Sequence, residues 1–215
     1  MKIGMLGSGN VGQVLAHAFI QEGHQLMLGT RNPHKPELVK WKKENQDADL
    51  GTFAQAAKFG ELIVLAVEGN VAEKAIELAG KDNIRGKVVI DATNPIAKQP
   101  PTHGVLHYFT TLEDSLMERL QRAVPEARLV KAFNSVGHAY MYKPQFQGGK
   151  PTMFICGNDE GAKQTVMGIL TAFGWETEDL GRVESARAIE PLCILWCIPG
   201  MLHNQWSHAF KLLKA

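Results

Sequence analysis

The stretch K-I-G-M-L-G-S-G-N-V-G, residues 2–12, determines how the rest of the chain is interpreted. Its first five residues, Lys2–Leu6, have the short apolar pattern of a buried strand, and the next six contain Gly7, Gly9 and Gly12 with G-x-G-x-x-G spacing. Apolar residues then recur with the period of an amphipathic helix, at Val11, Val14, Leu15, Ala18 and Phe19. Residues 24–29 predict a second strand. The first 30 residues therefore predict a βαβ unit with two parallel strands.

The glycine turn is expected to bind a pyrophosphate. Gly7 permits the tight turn, Gly9 has no side chain to block a phosphate, and Gly12 lets the helix pack closely on the strand. The backbone N–H groups and the helix dipole favour an anion at this point. Glycine turns also occur for purely structural reasons, so it is the position between a strand and a helix that favours dinucleotide binding.

The end of the second strand distinguishes NAD from NADP. An NAD site places a carboxylate about 20 residues after the first glycine, where it holds the ribose 2′-hydroxyl. Here Thr30, Arg31 and Asn32 occupy that place, and residues 23–36 contain no Asp or Glu. A guanidinium can pair with a 2′-phosphate and stack on adenine, the two neighbours add neutral donors, and Lys35 adds charge. We therefore expect NADP(H), with a solvated arginine in a turn as the alternative.

Alternation of strands and helices continues along the chain. Further strands are predicted near 51–53 and at 62–67, 87–91 and 128–133, with helices at 36–45, 72–79 and 112–122. After Gly148 and Gly149 the pattern restarts, with strands at 151–156 and 175–180, a helix at 162–173, and a mostly helical tail interrupted at Pro191 and Pro199. The predicted fold is α/β, a Rossmann-type doubly wound, mainly parallel sheet with helices on both faces.

This pattern predicts two parts. Residues 1–149 are expected to form the NADP-binding domain, and residues 150–215 a small C-terminal α/β extension that supplies an acceptor pocket and a dimer contact. Two long connections, 92–110 and 134–150, follow predicted strands and are expected at the carboxyl edge of the sheet, where open α/β sheets bind ligands.

Composition excludes several classes of protein. With 45% hydrophobic and 21% charged residues, the 215-residue chain is an ordinary globular sequence, and its net charge of +1 gives no general attraction to nucleic acid. Three cysteines are too few for a disulfide scaffold, so a cytoplasmic location is expected. The longest apolar run, 191–202, is shorter than the roughly 20 residues of a membrane span, and a buried helix or homodimer contact is expected there instead.

Four blocks of the sequence, taken together, resemble a known family. They are residues 2–12, L-G-T-R-N-P at 28–33, D-A-T-N-P at 91–95, and K-A-F-N at 131–134 followed by Ser135, Val136 and Gly137. In this order they resemble the NADP oxidoreductases typified by coenzyme F-420 (F420)-dependent NADP reductase. The nucleotide-binding domain of the six-transmembrane ferric reductases is a related branch. The likeness covers most of the chain, and the last two blocks are more specific than the glycine turn.

The resemblance implies where NADP(H) would lie. It assigns the pyrophosphate to Gly7, Ser8, Gly9, Asn10 and Val11, and the 2′-phosphate to Thr30, Arg31 and Asn32. It places the ribose beside Ala66 and Val67. It lines the nicotinamide with Asn94, Pro95, Ile96, Ala132, Phe133 and Asn134. The two asparagine amides would fix the carboxamide or a flavin-type ring, or else serve as turn residues.

The implied reaction is hydride transfer between NADP(H) and a flavin or deazaflavin, with F420, FMN or FAD as second cofactor or substrate. Because cofactors carry this chemistry, no catalytic side chain and no metal site is assigned. Two other functions remain open. One is reduction of a small imine or carbonyl, which the short C-terminal region disfavours. The other is a non-catalytic NADPH-binding redox sensor. For both enzymatic functions the expected partner is a small-molecule or coenzyme electron acceptor, whereas a sensor would pass its redox state to a partner.

Other conspicuous side chains have open roles. Three histidines lie in the two long connections, His103, His107 and His138. They would donate a proton to the acceptor, contact its ring, or serve only as surface or loop-packing residues. Tyr140, Tyr142 and Phe146 would line an aromatic acceptor or pack the loop. Trp196 and Trp206 are expected in the core or at a dimer contact.

Overall fold

A computed structural model describes residues 1–215, and its centre is a sheet of six parallel strands. The strands are β1 (Lys2–Leu6), β2 (Gln25–Gly29), β3 (Ala48–Gly51), β4 (Leu62–Leu65), β5 (Val88–Asp91) and β6 (Arg128–Lys131). They lie in the order β3-β2-β1-β4-β5-β6, with every neighbouring pair parallel. The direction of winding reverses between β1 and β4, which opens a crevice at the carboxyl ends of these strands. The predicted Rossmann-type fold is confirmed.

Nine α-helices connect and cover the strands. They are α1 (Asn10–Gln21), α2 (Pro36–Glu44), α3 (Phe53–Phe59), α4 (Ala72–Ala79), α5 (Lys81–Ile84), α6 (Leu116–Ala123), α7 (Glu160–Ala172), α8 (Ala186–Ile189) and α9 (Leu192–His203). Short 3₁₀ turns occur at Gly69–Val71, His138–Tyr140 and Val183–Ser185. Residues 132–137, which follow β6, form no helix.

Strand β4 shows why both faces of the sheet are covered. Leu62 and Val64 belong to a cluster of 29 buried residues on one face, whereas Ile63 and Leu65 belong to a cluster of 22 on the other. Alternate side chains of a strand point to opposite faces. An unbroken apolar strand is therefore stable only between two layers of helices.

The C-terminal region forms a second, two-stranded parallel sheet of β7 (Thr152–Ile155) and β8 (Glu176–Asp179), connected by α7. An isolated antiparallel bridge joins Lys131 to Cys156, next to β7. The region also shares the larger core cluster with the N-terminal part. In that cluster the ring of Phe19 on α1 meets Phe173 edge-on, with ring centroids 5.0 Å apart. The division into two domains at residue 149 stays a prediction.

Several boundaries differ from the sequence-based expectation. The strand expected near 51–53 is β3, and it ends at Gly51. The next residue, Thr52, begins α3 through a capping box in which its hydroxyl accepts from the Gln55 N–H and the Gln55 side chain accepts from the Thr52 N–H. The predicted helix 112–122 begins only at Leu116, because Ser115 and Glu118 form the same motif there.

Helix α9 continues through Pro199, where the sequence predicts an interruption. A proline inside a helix removes one backbone hydrogen bond and leaves the carbonyl four residues earlier without its partner. That carbonyl belongs to Leu195, which is 55% exposed, so water can replace the lost donor. The break predicted at Pro191 is present, since this residue lies between α8 and α9.

By length and composition alone, the helical stretch Val183–His203 is long and apolar enough to cross a membrane. In the fold it is made of the third 3₁₀ turn, α8 and α9. It contains Glu190, whose side chain is 2% exposed and lies 3.0 Å from the Lys131 ammonium. Core helices often meet the same criterion of length and composition. We interpret the stretch as helices packed within this fold.

Candidate functional site

Two adjoining hollows form one crevice at the carboxyl edge of the sheet. The first, of about 730 Å³, lies between the glycine turn after β1 and the turn after β2. The second, of about 620 Å³, extends past the ends of β4 and β5 to Lys98 and His138. Both are bordered by Gly9 and by residues 66–68. The crevice therefore crosses the point between β1 and β4 where the winding of the sheet reverses.

The three glycines of the turn have different structural roles. A Cβ on Gly7 would lie 2.0 Å from the carbonyl oxygen of Ala66, and one on Gly12 would lie 2.2 Å from that of Gly7. Gly7 also has a φ of +135°, a conformation that other residues rarely adopt. A Cβ on Gly9 would meet no atom within 4 Å and would project into the crevice. Two of the glycines thus serve the fold, and Gly9 leaves space for a ligand.

The start of α1 faces this space with unused donors. Gly9 caps the helix without a side-chain hydrogen bond, and the first turn contains no acidic residue. The first N–H groups of a helix have no partner within it, and together with the helix dipole they favour an anion. Asn10 and Val11, in that first turn, line the second hollow.

The turn after β2 contributes hydroxyl and cationic groups. Thr30 is 5% exposed, and its hydroxyl oxygen accepts from the Ser8 hydroxyl at 3.2 Å and from the Asn32 N–H at 3.4 Å. These bonds join the turn to the glycine loop. Arg31 is exposed and forms no ion pair, while the Lys35 ammonium lies 3.9 Å from Glu37 at the rim. The guanidinium is available to an anionic ligand.

Most of the residues expected to bind the cofactor line the crevice. These are Gly7, Ser8, Gly9, Asn10, Val11, Thr30, Arg31, Asn32, Lys35, Ala66, Val67, Asn94 and Ile96. Pro95, Ala132, Phe133 and Asn134 lie behind the wall and are buried. Phe133 has a φ of +63°, and its ring packs in the core at 6.0 Å from that of Phe173.

Asn94 and Asn134 hold the loops after β5 and β6 together. The Asn94 amide donates to the carbonyl oxygen of Asn134 at 2.7 Å, and the Asn134 amide donates to Asn94 Oδ1 at 3.3 Å. Asn134 also donates to the carbonyl oxygen of Ile189 at 2.9 Å. Only Asn94 borders the second hollow, so its orientation depends on the residue behind it.

A buried ionic cluster lies beneath these loops. The Lys131 ammonium is 2.7 Å from Asp91 Oδ2, 3.0 Å from Glu190 Oε1 and 3.0 Å from the carbonyl oxygen of Thr93. Burial by itself would lower the pKa of Lys131, but the two carboxylates outweigh it and raise that pKa above its usual value. The lysine therefore stays charged. Asp91 and Lys131 lie within the sequence blocks quoted above, but no pattern there indicates this role, and none points to Glu190.

The other candidate side chains lie in different surroundings. Of the loop histidines, His138 borders the second hollow, His107 Nε2 lies 2.8 Å from the Thr102 hydroxyl, and His103 is exposed. Tyr140 bonds to Ser207, Tyr142 to Glu22, and Phe146 packs on Tyr140, so none of the three lines the crevice. Trp196 is buried against Trp206 and His208. No group of three or more His, Cys, Asp or Glu side chains is arranged to hold a metal ion.

Comparison with known proteins gives concordant results. The family model for NADP oxidoreductase, coenzyme F420-dependent, matches residues 2–95. The chain is 30% identical to metalloreductase STEAP3 of Rattus norvegicus over 210 residues, which cover 94% of this chain and 39% of that protein. It is 27% identical to the F420-dependent NADP reductase of Methanocaldococcus jannaschii over 202 residues, 89% of each chain. The chain thus spans about two fifths of the length of STEAP3.

One solved structure matches along the full length of both chains. It comes from Arthrobacter sp. FB24 and has the provisional name F420-dependent NADP reductase. The TM-score is 0.93, the sequence identity is 33%, and 100% of each chain is covered. Agreement therefore extends over the C-terminal region as well as the glycine turn.

Proposed function

This chain belongs to the coenzyme F420-dependent NADP oxidoreductase family, and we propose that it transfers hydride between NADP(H) and a flavin or deazaflavin acceptor. That it is an NADP-dependent oxidoreductase follows from the family. The acceptor is the part proposed here, with F420, FMN and FAD as candidates. The observation that carries the proposal is the crevice, which has Arg31 and Lys35 at one end and apolar side chains such as Ile96 at the other.

The first hollow suits the adenosine half of NADP(H). Arg31, Thr30, Asn32 and Lys35 would hold the 2′-phosphate, since a guanidinium with neighbouring hydroxyl and amide donors matches that group. The open space at Gly9 and the unpaired N–H groups at the start of α1 would receive the pyrophosphate. Gly9 borders both hollows, while Asn10 and Val11 border the second, so the two features lie along one crevice, which supports a single extended ligand.

The second hollow suits the ribose and nicotinamide half. Ala66 and Val67 would border the ribose, and Asn94 and Ile96 the nicotinamide. When bound, NADP(H) supplies or accepts the hydride at its nicotinamide ring. The loops that carry the lining residues would be fixed by buried residues behind them, namely Pro95, Ala132, Phe133 and Asn134.

The surroundings of the second hollow favour transfer between two rings over reduction of a carbonyl. Transfer between cofactors depends on geometry and dry walls more than on a proton donor. The hollow offers apolar walls at Val11, Ala92, Ile96 and Ala97. A carbonyl reductase would instead need a proton donor close to the new alkoxide. Glu68, Asn70, Lys98 and His138 also border this hollow, and we expect Lys98 and His138 to meet the acceptor rather than the nicotinamide.

An acceptor screen tests this proposal. Purified protein is mixed with NADPH, and loss of the reduced-nicotinamide absorbance is followed with F420, FMN, FAD or a ferric chelate. We expect turnover with at least one flavin or deazaflavin. Tight NADPH binding without oxidation by any acceptor would favour a redox sensor, and turnover with small imines alone would favour an imine reductase.

The ferric chelate is included because the metalloreductase relative is named for metal reduction. Turnover with the ferric chelate alone would indicate that this protein prefers a metal acceptor, as the name of that relative suggests for the relative. A homodimer contact through α9 and a cytoplasmic location stay predictions. Light scattering on the purified chain measures the first, and fractionation of the source cells measures the second.

A further inference from the structure

Residues 189–190, at the end of α8, contact both loops that form the nicotinamide end of the crevice. We propose that Glu190 is a positioning residue for the NADP site and that it sets the orientation of the Asn94 amide. This inference rests on the proposed function and concerns how that site is built. Sequence spacing gives no indication of it, because Glu190 is distant in the chain from every residue of the crevice.

The carboxylate of Glu190 joins three elements. Its Oε1 lies 3.0 Å from the Lys131 ammonium at the end of β6 and accepts from the Met117 N–H at 3.0 Å. Its Oε2 accepts from the Leu116 N–H at 3.0 Å, so the carboxylate caps the start of α6. Through Lys131 it is also linked to Asp91, the last residue of β5. One side chain thus fixes the ends of two adjacent strands relative to a helix.

The backbone of the same two residues reaches the asparagine pair. The carbonyl oxygen of Ile189 accepts from the Asn134 amide at 2.9 Å, and that of Glu190 accepts from the Tyr108 hydroxyl at 2.8 Å. The Tyr108 hydroxyl lies 3.5 Å from Asn94 Oδ1. Burial raises the pKa of Tyr108, so its hydroxyl keeps the proton that it donates. Both groups that contact Asn94 Oδ1 are therefore held by residues 189–190.

These contacts leave one hydrogen of the Asn94 amide free. Its Nδ2 donates to the carbonyl oxygen of Asn134, and no second acceptor from the protein is within hydrogen-bonding distance. Asn94 borders the second hollow, so a ligand carboxamide oxygen is a suitable partner for this hydrogen. If residues 189–190 shift, the two groups that hold the amide shift with them.

Electrostatics supports a positioning role more than a purely stabilising one. Asp91, Lys131 and Glu190 carry a net charge of −1, and their side chains are 0–2% exposed. The N–H groups of Leu116 and Met117, which donate to Glu190, and the helix dipole at the start of α6 offset the extra negative charge. Buried ion pairs rarely add net stability over well-packed apolar residues. The geometry of this cluster instead holds the ends of β5 and β6 in one arrangement.

The test compares Glu190→Gln with Glu118→Gln. Glu118 is a fair control because it also connects α6 to the tail, through Arg187, but it lies away from the crevice. Each variant is titrated with NADPH and with 2′,5′-ADP, which contains only the adenosine half. In Glu190→Gln we expect unchanged affinity for 2′,5′-ADP, about tenfold weaker NADPH binding and at least tenfold slower hydride transfer to the accepted flavin. Glu118→Gln should retain all three values.

A milder variant keeps the test decisive if Glu190→Gln does not fold. Tyr108→Phe removes only the hydroxyl between Glu190 and Asn94, and it should weaken NADPH binding about threefold without affecting 2′,5′-ADP. Equal NADPH binding and transfer rates in the unmodified chain and in the folded variants would overturn this inference alone. Failure of the unmodified chain to bind either ligand would overturn the proposed function as well.

Discussion

Replacing Gly9 with alanine should separate cofactor binding from folding. Gly9 has φ −77° and ψ −174°, which alanine adopts without strain, and a Cβ there would touch no protein atom. At a compatible position, Gly→Ala commonly stabilises a fold by about 0.4–1 kcal/mol, because the unfolded chain loses freedom. We therefore expect Gly9→Ala to be at least as stable as the unmodified protein.

The same methyl group would occupy the place of the pyrophosphate. It would stand at the start of α1, between the crevice and the N–H groups of the first turn. Hydrogen bonds from N–H to a charged group are worth about 1.5–3 kcal/mol each. Losing one of them weakens binding by about 10- to 150-fold, and losing two weakens it further.

Calorimetric titration with NADPH and thermal unfolding without it provide the two measurements. Gly168→Ala is the matched control, since Gly168 is exposed on α7 and an added Cβ there also meets nothing within 4 Å. This control should raise stability by about 0.5–1 kcal/mol and leave NADPH affinity unchanged. If Gly9→Ala bound NADPH as tightly as Gly168→Ala does, the pyrophosphate would not lie at this turn.

Three further perturbations give independent tests. Arg31→Glu should reduce the NADPH-over-NADH preference in binding titrations at least tenfold, because a carboxylate repels the 2′-phosphate and accepts a 2′-hydroxyl; an unchanged preference would contradict the assignment. Lys131→Met leaves two buried carboxylates without their cation, so urea unfolding should show a loss of about 3–5 kcal/mol, and a loss below 1 kcal/mol would disprove the cluster's geometry. Burial of Glu118 opposes its ionisation, but Arg187 and Ser115 outweigh burial and lower the pKa of Glu118. The ionised Glu118 therefore stabilises the fold above its unfolded pKa of about 4.3, and this stabilisation is lost as the pH falls through the folded pKa. Thermal unfolding should show that Glu118→Gln is less stable than the unmodified protein at pH 7 and that the difference shrinks in acid. A difference that does not change with pH would refute this.

Local sequence patterns were sufficient for the first βαβ unit and the glycine turn. The period of apolar residues defines α1, and glycine spacing next to a strand predicts where an anion would bind. Helix α3 was missed although its signal is present, because Thr52 and Gln55 form a capping box that sequence analysis overlooked. The start of α6 was placed too early for the same reason, with Ser115 and Glu118 as the overlooked pair.

Long-range contacts could not be predicted in this way. Glu190 follows Lys131 by 190 − 131 = 59 positions, and nothing in the spacing of charged residues relates the two. Phe133 lies two residues beyond β6, which ends at Lys131 and not at residue 133 as the sequence predicts. Its positive φ directs the ring into the core, and such a conformation is uncommon for a bulky residue. Tertiary packing, rather than local preference, decides both features.

The edge-on contact between Phe19 and Phe173 limits how this protein can be dissected. Helix α1, which begins at the glycine turn, packs against an aromatic side chain from the C-terminal region. A fragment ending at residue 149 would therefore expose an apolar surface behind the proposed nucleotide site. Exchanging the last third of the chain between relatives would likewise change the packing behind α1, the helix proposed to bind the phosphates, so such chimeras would not report on acceptor choice alone.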